Sequence, residues 1–267
     1  AFAERTVVGA DRLRLASRLL RTGDLVGVVG TWTASRTGTP SLAVAARALQ
    51  AKALQPVPWD GLVDPEVRVR QRTLDLVVHP AGLDTLRQRS AVVAAVRSHL
   101  GQAGFTEVET PILQAVHGGA AARPFRTHAN AYDYDLSLRI APELYLKRLV
   151  VAGFGPLFEL GRNFRNEGAD ATHNPEFTSL EAYLPWADYT DMRRLTQEIV
   201  RVAAMAVNGR PELPDGSGGC LSLDGDWPVV PMLDEVSRAA GAELGLDTDI
   251  DLLLEHARRA GVAVTPL

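Results

Sequence analysis

The chain has 267 residues, 46% of them apolar and 22% charged, enough for one large domain or a large one with a small partner. A net charge of −4 excludes global attraction to polyanions, so any nucleic-acid contact must rest on a local basic patch. The single cysteine, Cys220, excludes an intramolecular disulfide or a cysteine-rich zinc site and suits a reducing, cytoplasmic setting.

Taken in order, "ADRLRLASRLLRTG" predicts a short amphipathic helix closed by Gly23. The stretch "DLVGVVGTWTASRTGTPSLAVAARALQAKAL" predicts two strands around a Gly/Thr/Pro turn at 36–40. One helix and one hairpin cannot close a sheet, so this region reads as part of a small barrel. "QPVPWDGLVDPEVRVRQRTLDLVVHP" is proline-rich with few periodic apolar residues, and reads as a linker whose "RVRQR" is a solvated helix face. Leu83, Leu86, Val93, Val96 and Leu100 then recur at helical spacing, giving a helix that runs to about Ala103 and stops at Gly104.

Strand-like runs follow: "TEVETPIL", "YDYDLSLRI", "PLFELGRNFR" and "EFTSLEAYLPW". Two of them alternate polar with apolar, as in an antiparallel sheet with one face lining a cleft. "MRRLTQEIVRVAAMAV", "LDEVSRAAGAEL" and "IDLLLEHARRAG" predict helices, interrupted by a Gly/Pro/Asp loop at 209–219. "LVVAGFGPLF" is too short to span a membrane, so no membrane segment is expected within this chain. Histidines 79, 99, 117, 128 and 256 have no metal-ligand spacing and read as structural, and Trp186 and Tyr189 as packing residues.

The chemistry concentrates between residues 158 and 183. Alternation along "LFELGRNFRNE" puts Glu159, Gly161 and Asn163 on one face and Leu160, Arg162 and Phe164 on the other, with Arg165 rejoining the first. Two strands converging on one cleft gather Arg165, Glu167, His173, Glu181 and Tyr183. A salt-bridged surface hairpin is the plain alternative. Against it stands the mixture itself: arginine forks bind phosphate and carboxylate, phenylalanine stacks a planar base, and Glu or Tyr receives an ammonium group. Together they suit a nucleotide lying beside an amino acid.

"FRNEGADATHNPEFTSLEAY" resembles motif 2 of class II aminoacyl-tRNA synthetases, and "GFTEVETPIL" resembles their motif 1, including Pro111. "HGGAAARPFRTHANAYDYDLSLRIAPELYLKRLVVAGF" is similar to the intervening segment of bacterial lysyl-tRNA synthetases, and the likeness runs over about residues 24–200. The resemblance implies an α+β fold: a six- or seven-stranded antiparallel sheet flanked by helices, preceded by a partial OB-fold β-barrel of the kind that reads the anticodon. The expected organisation is residues 1–55 for the barrel portion, 56–82 for the linker and 83–267 for the catalytic core. Motif 3, with the acidic residues that hold Mg²⁺ upstream of it, is not visible before "RRAGVAVTPL"; the Mg²⁺ ligands are expected beyond the end of this chain, which reads as a fragment.

Among relatives that activate lysine, aspartate or asparagine, Glu143 in "RIAPELYLKR" favours lysine, since an acidic pocket fits two ammonium groups and repels a side-chain carboxylate. The resemblance implies that Gly119 and Glu143 hold the α-amino group, while Glu181 and Tyr183 face the side-chain ammonium. It gives Arg165 the catalytic role, bridging the α-phosphate of ATP and the attacking carboxylate. Glu167 and Asn174 would touch the adenosine, His173 the outer phosphates, and Phe177 would stack on adenine. Thr172 departs from the pattern, standing where many members carry arginine. The leading expectation is a ligase of protein biosynthesis, charging tRNA(Lys) with L-lysine as a homodimer. The alternatives are a paralogue delivering lysine to a lipid or protein acceptor, and an inactive regulatory paralogue.

Overall fold

The computed structural model describes residues 10–35 and 37–263. The first nine residues of the expected barrel portion, Arg36 of its turn and the last four residues of the expected core lie outside that range. The chain divides into two compact units between Arg89 and Ser90.

In the first unit, α1 (Ala10–Leu19) precedes a hairpin of β1 (Leu25–Ala34) and β2 (Pro40–Ala51). The strands are antiparallel, with Trp32 opposite Leu42 and a register shift at Val29/Gly30. A Cβ at Gly30 would stand 2.1 Å from the Ala43 carbonyl oxygen, so glycine is what lets the strands close there. Lys52 Nζ donates to Asp24 at 2.7 Å and to the Leu19 carbonyl at 2.6 Å, tying helix, turn and strand end together.

The stretch expected to be a plain linker contains two short helices, α2 (Pro65–Arg70) and α3 (Arg72–Val78). Asp64 caps α2 by accepting from the Glu66 N–H at 2.9 Å, and Pro65 supplies a preset φ for its first turn. Buried Asp75 gathers Arg68 (2.7 Å), Arg72 (2.5 Å) and His79 (2.8 Å), so two arginines of the basic run serve an internal acid. α4 (Ala81–Gln102) follows, and Gly104, at φ +88°, turns the chain out of it.

The second unit holds two three-stranded sheets rather than one wide antiparallel sheet. β3 (Thr106–Glu107), β7 (Leu157–Phe164) and β8 (Glu176–Tyr183) form one, in the order β3-β7-β8. β4 (Leu113–Gln114), β6 (Tyr134–Leu138) and β5 (Arg126–Ala129) form the other, in the order β4-β6-β5. All pairings are antiparallel except β3 with β7, which is parallel.

"TEVETPIL" is therefore not one strand. Pro111 lacks an N–H and restricts Thr110, so the run breaks there, its first part pairing with β7 and its last part with β6. One backbone hydrogen bond stitches the sheets, from the Phe164 N–H to the Arg139 carbonyl (2.9 Å), while the bond from the Arg139 N–H to the Ile112 carbonyl (2.8 Å) extends the β4–β6 ladder.

The core lies behind the β7–β8 pair. Val96, Leu100, Phe105, Phe158 and Leu195 are buried together, with Leu160, Leu180 and Ala182 packed against them. The even-numbered face of both strands thus packs on α4 and on α6 (Tyr189–Asn208). α6 begins with a capping box between Asp188 and Asp191 and ends at Gly209, φ +69°. A small hairpin of β9 (Glu212–Pro214) and β10 (Cys220–Ser222), then α7 (Met232–Ala240) and α8 (Ile250–Arg259), complete the unit. Trp186 and Tyr189, expected to pack, are instead exposed; Trp186 has a φ of +65°, a left-handed conformation that holds its indole clear of the core.

Candidate active site

The register of β7 with β8 decides which side chains meet. Glu159 lies opposite Glu181, Gly161 opposite Ser179 and Asn163 opposite Phe177. With the even-numbered face committed to the core, the odd-numbered face carries Glu159, Gly161, Asn163, Phe177, Ser179, Glu181 and Tyr183. Arg165 follows the strand end, its N–H donating to the Pro175 carbonyl at 2.8 Å.

One end of this face is acidic. The Tyr183 hydroxyl donates to Glu181 Oε2 at 3.4 Å. Glu143 opens α5 (Glu143–Val151) and accepts from Lys147 Nζ at 2.6 Å, one helical turn on. Gly119, at φ +89°, backs directly onto it: a Cβ there would lie 2.8 Å from the Glu143 Cβ. Burial pushes the Glu181 carboxyl above the usual range, with repulsion from Glu143 and Glu159 adding to it. Burial likewise pushes the Tyr183 phenol up, helped by the negative charge of Glu181.

Beneath this end sits a buried ion pair. Arg139 is 2% exposed and Glu159 5%. The Arg139 guanidinium pairs with Glu159, donates to the Arg162 carbonyl at 2.8 Å and to Thr110 Oγ1 at 3.1 Å. Thr110 in turn donates to Glu159 Oε2 at 2.6 Å. Both Glu159 oxygens are thus engaged internally, leaving Glu143 and Glu181 as the acids offered to a ligand.

The other end is cationic and aromatic. A recess of about 520 Å³ is lined by Arg165, Glu167, Asp170, Thr172, His173, Asn174 and Phe177, among others. That is within the range of small-ligand sites. The Arg165 guanidinium lies over the Phe177 ring, 5.0 Å from its centroid, and its Nε is buried with no hydrogen-bond partner among the described residues. Glu167 Oε1 accepts from the Arg123 N–H at 3.2 Å.

Asp170 organises the loop: its Oδ1 accepts from the N–H groups of Thr172 (2.7 Å) and His173 (2.8 Å) and lies 2.9 Å from His173 Nδ1. Those bonds, the Thr172 N–H first, hold its carboxyl well below the usual carboxylate range. Asn174 is exposed on the rim.

Every residue singled out in the sequence therefore falls at one of two ends of one sheet face: Gly119, Glu143, Glu181 and Tyr183 at the acidic end, Arg165, Glu167, His173, Asn174 and Phe177 at the other. Sequence reasoning missed Arg139, Asp170 and Ser179, and placed Asn163 on the correct face without foreseeing its bond to Ser179. Arg139 had a signal, an arginine embedded in the apolar run "LSLRIAP". The others depend on loop and register contacts that no local pattern announces.

Residues 64–258 match the family model described as tRNA synthetases class II (D, K and N). The chain is also similar to proteins named lysylphosphatidylglycerol biosynthesis bifunctional protein LysX. Identity is 50% over 250 residues with that of Gordonia bronchialis, covering 91% of this chain and 22% of that protein. With that of Nocardia farcinica it is 49% over 266 residues, covering 97% and 24%. With that of Mycobacterium tuberculosis it is 50% over 253 residues, covering 90% and 22%. The chain thus spans less than a quarter of the length of these relatives. On the strength of the family match, which takes in well over half of its residues, the chain belongs to the class II tRNA synthetases of the D, K and N group.

Proposed function

We propose that this chain activates L-lysine with ATP, and that the activated lysine is destined for a lipid rather than for translation. The observation that carries the reading is the polarity of one sheet face, with Glu143, Glu181 and Tyr183 at one end and Arg165 with Phe177 at the other. Lysine would place its two ammonium groups among the acids, and its carboxylate would then point toward the nucleotide end. One carboxylate oxygen attacks the α-phosphorus of ATP. The bond from that phosphorus to the bridging oxygen breaks, and pyrophosphate leaves with the electron pair; no proton moves. Arg165 holds carboxylate and phosphate together, its buried Nε, without a partner among the described residues, being a donor held ready for an anion.

Mg²⁺ supplies charge neutralisation on the phosphates when bound. Among the described residues no group of three or more His, Cys, Asp or Glu side chains is placed to hold a metal ion.

The relatives named for lysylphosphatidylglycerol biosynthesis support the lipid-directed alternative over tRNA(Lys) charging for protein synthesis. No helix among the described residues is long and apolar enough to cross a membrane.

Lysine-dependent ATP–pyrophosphate exchange on the intact protein tests the activation step. Exchange is expected with lysine and not with aspartate or asparagine, and Arg165→Ala should lower it by about 100-fold or more. Exchange unaffected by that substitution refutes the role of Arg165. Radiolabelled lysine appearing in phosphatidylglycerol supports the lipid route; label that stops in tRNA and never enters lipid overturns it.

A further inference from the structure

Ser179 occupies β8 between Phe177 at the nucleotide end and Glu181 at the acidic end, on the same face. Same-face neighbours on a strand are about 7 Å apart. Whatever joins an amino acid bound among the acids to a nucleotide beside Phe177 therefore passes over Ser179. Opposite it lies Gly161, whose lack of a side chain leaves room for the Arg139 guanidinium beside Ser179's strand.

The hydroxyl is braced. Ser179 Oγ accepts from Asn163 Nδ2 at 2.5 Å, and Asn163 is 2% exposed, with its Oδ1 unpartnered among the described residues. A serine hydroxyl carries one hydrogen. With Asn163 engaging a lone pair, that hydrogen points away from Asn163, and no acceptor for it occurs among the described residues. Ser179 is thus an oriented, neutral donor at the junction of the two ends.

We propose that the Ser179 hydroxyl, held by Asn163, donates a hydrogen bond to the α-carboxylate of the bound lysine and turns one of its oxygens toward the nucleotide. This rests on the lysine-activating reading and adds to it a contact that recognises the carboxylate specifically.

The test is calorimetry on the intact protein with two ligands, lysine and 1,5-diaminopentane, which keeps both ammonium groups and lacks the carboxylate. Ser179→Ala should weaken lysine by about 10-fold or more, the worth of one hydrogen bond to a charged group, and leave diaminopentane within about twofold. Ser179→Thr and Ser179→Val form a nearly isosteric pair that guards against packing effects: threonine should keep lysine affinity within about threefold, and valine should lose it as alanine does.

Equal weakening of both ligands, or of neither, overturns the contact while leaving lysine activation standing. No lysine uptake by the unaltered protein, with or without ATP, overturns the activation reading and the contact with it.

Discussion

Glu181 carries the sharpest conflict between stability and use. Burial and the nearby charges of Glu143 and Glu159 raise its folded-state affinity for a proton above the unfolded value. Its contribution to stability is therefore present at low pH and lost as pH rises through that raised value. Lysine needs the opposite, an ionised carboxylate, so lysine affinity should fall on acidification beginning above the ordinary carboxylate range. Titration of binding against pH checks this; a flat profile down to about pH 4.5 contradicts it. Glu181→Gln should raise the melting temperature while removing at least about 2 kcal/mol of lysine binding, a trade expected where a site is held under electrostatic tension. Gly119→Ala belongs at the same scale: at φ +89°, with its new methyl against Glu143, it should impair lysine binding more than ATP binding.

Between elements, the critical object is the Arg139–Glu159 pair under the β7–β8 face. Removing one partner leaves a buried charge, so Glu159→Ala should cost about 3–5 kcal/mol in denaturant unfolding. Gly161→Ala should be destabilising for a related reason: the added methyl would meet Arg139 Nη2 at 2.3 Å, and that guanidinium is pinned by its hydrogen bonds.

This scale also separates what sequence reveals from what it hides. The alternation of "LFELGRNF" and "EFTSLEAY" gave the faces correctly, because a strand with one face on a core must alternate. "TEVETPIL" misled because its pattern continues through Pro111 although the pairing does not. β5 went unread because "RTHA" is too short and polar to signal a strand. Ser179 was hidden by register: its position opposite Gly161 exists only once β7 and β8 are paired.

At the scale of the molecule, all the proposed ligand contacts lie in the unit after Arg89. The first unit offers an exposed Trp32 and a two-stranded hairpin, and its assignment to a nucleic-acid-reading barrel remains a proposal from resemblance. There, Lys52 and two backbone N–H groups hold the Asp24 carboxyl down at about 2. Its contribution is intact above the unfolded carboxylate value near 4 and is lost as pH falls toward 2, so Lys52→Ala should lower this unit's stability at neutral pH and flatten its further loss between about pH 4 and 2, which acid titration of unfolding checks. The family resemblance also predicts a two-fold homodimer, which sedimentation at micromolar concentration checks; a monomer there contradicts it.

The stitching of the two sheets has a kinetic consequence. The Phe164 N–H closes the seam, the Arg139 N–H ties Arg139 to the β4 side of its own sheet, and the Arg139 side chain fastens the seam to Thr110 and Arg162. Deuterium uptake at the Phe164 amide should therefore be among the slowest in the unit and be accelerated by Glu159→Ala, whereas fraying of the edge strand β4 would speed exchange at the Arg139 amide and leave Phe164 untouched.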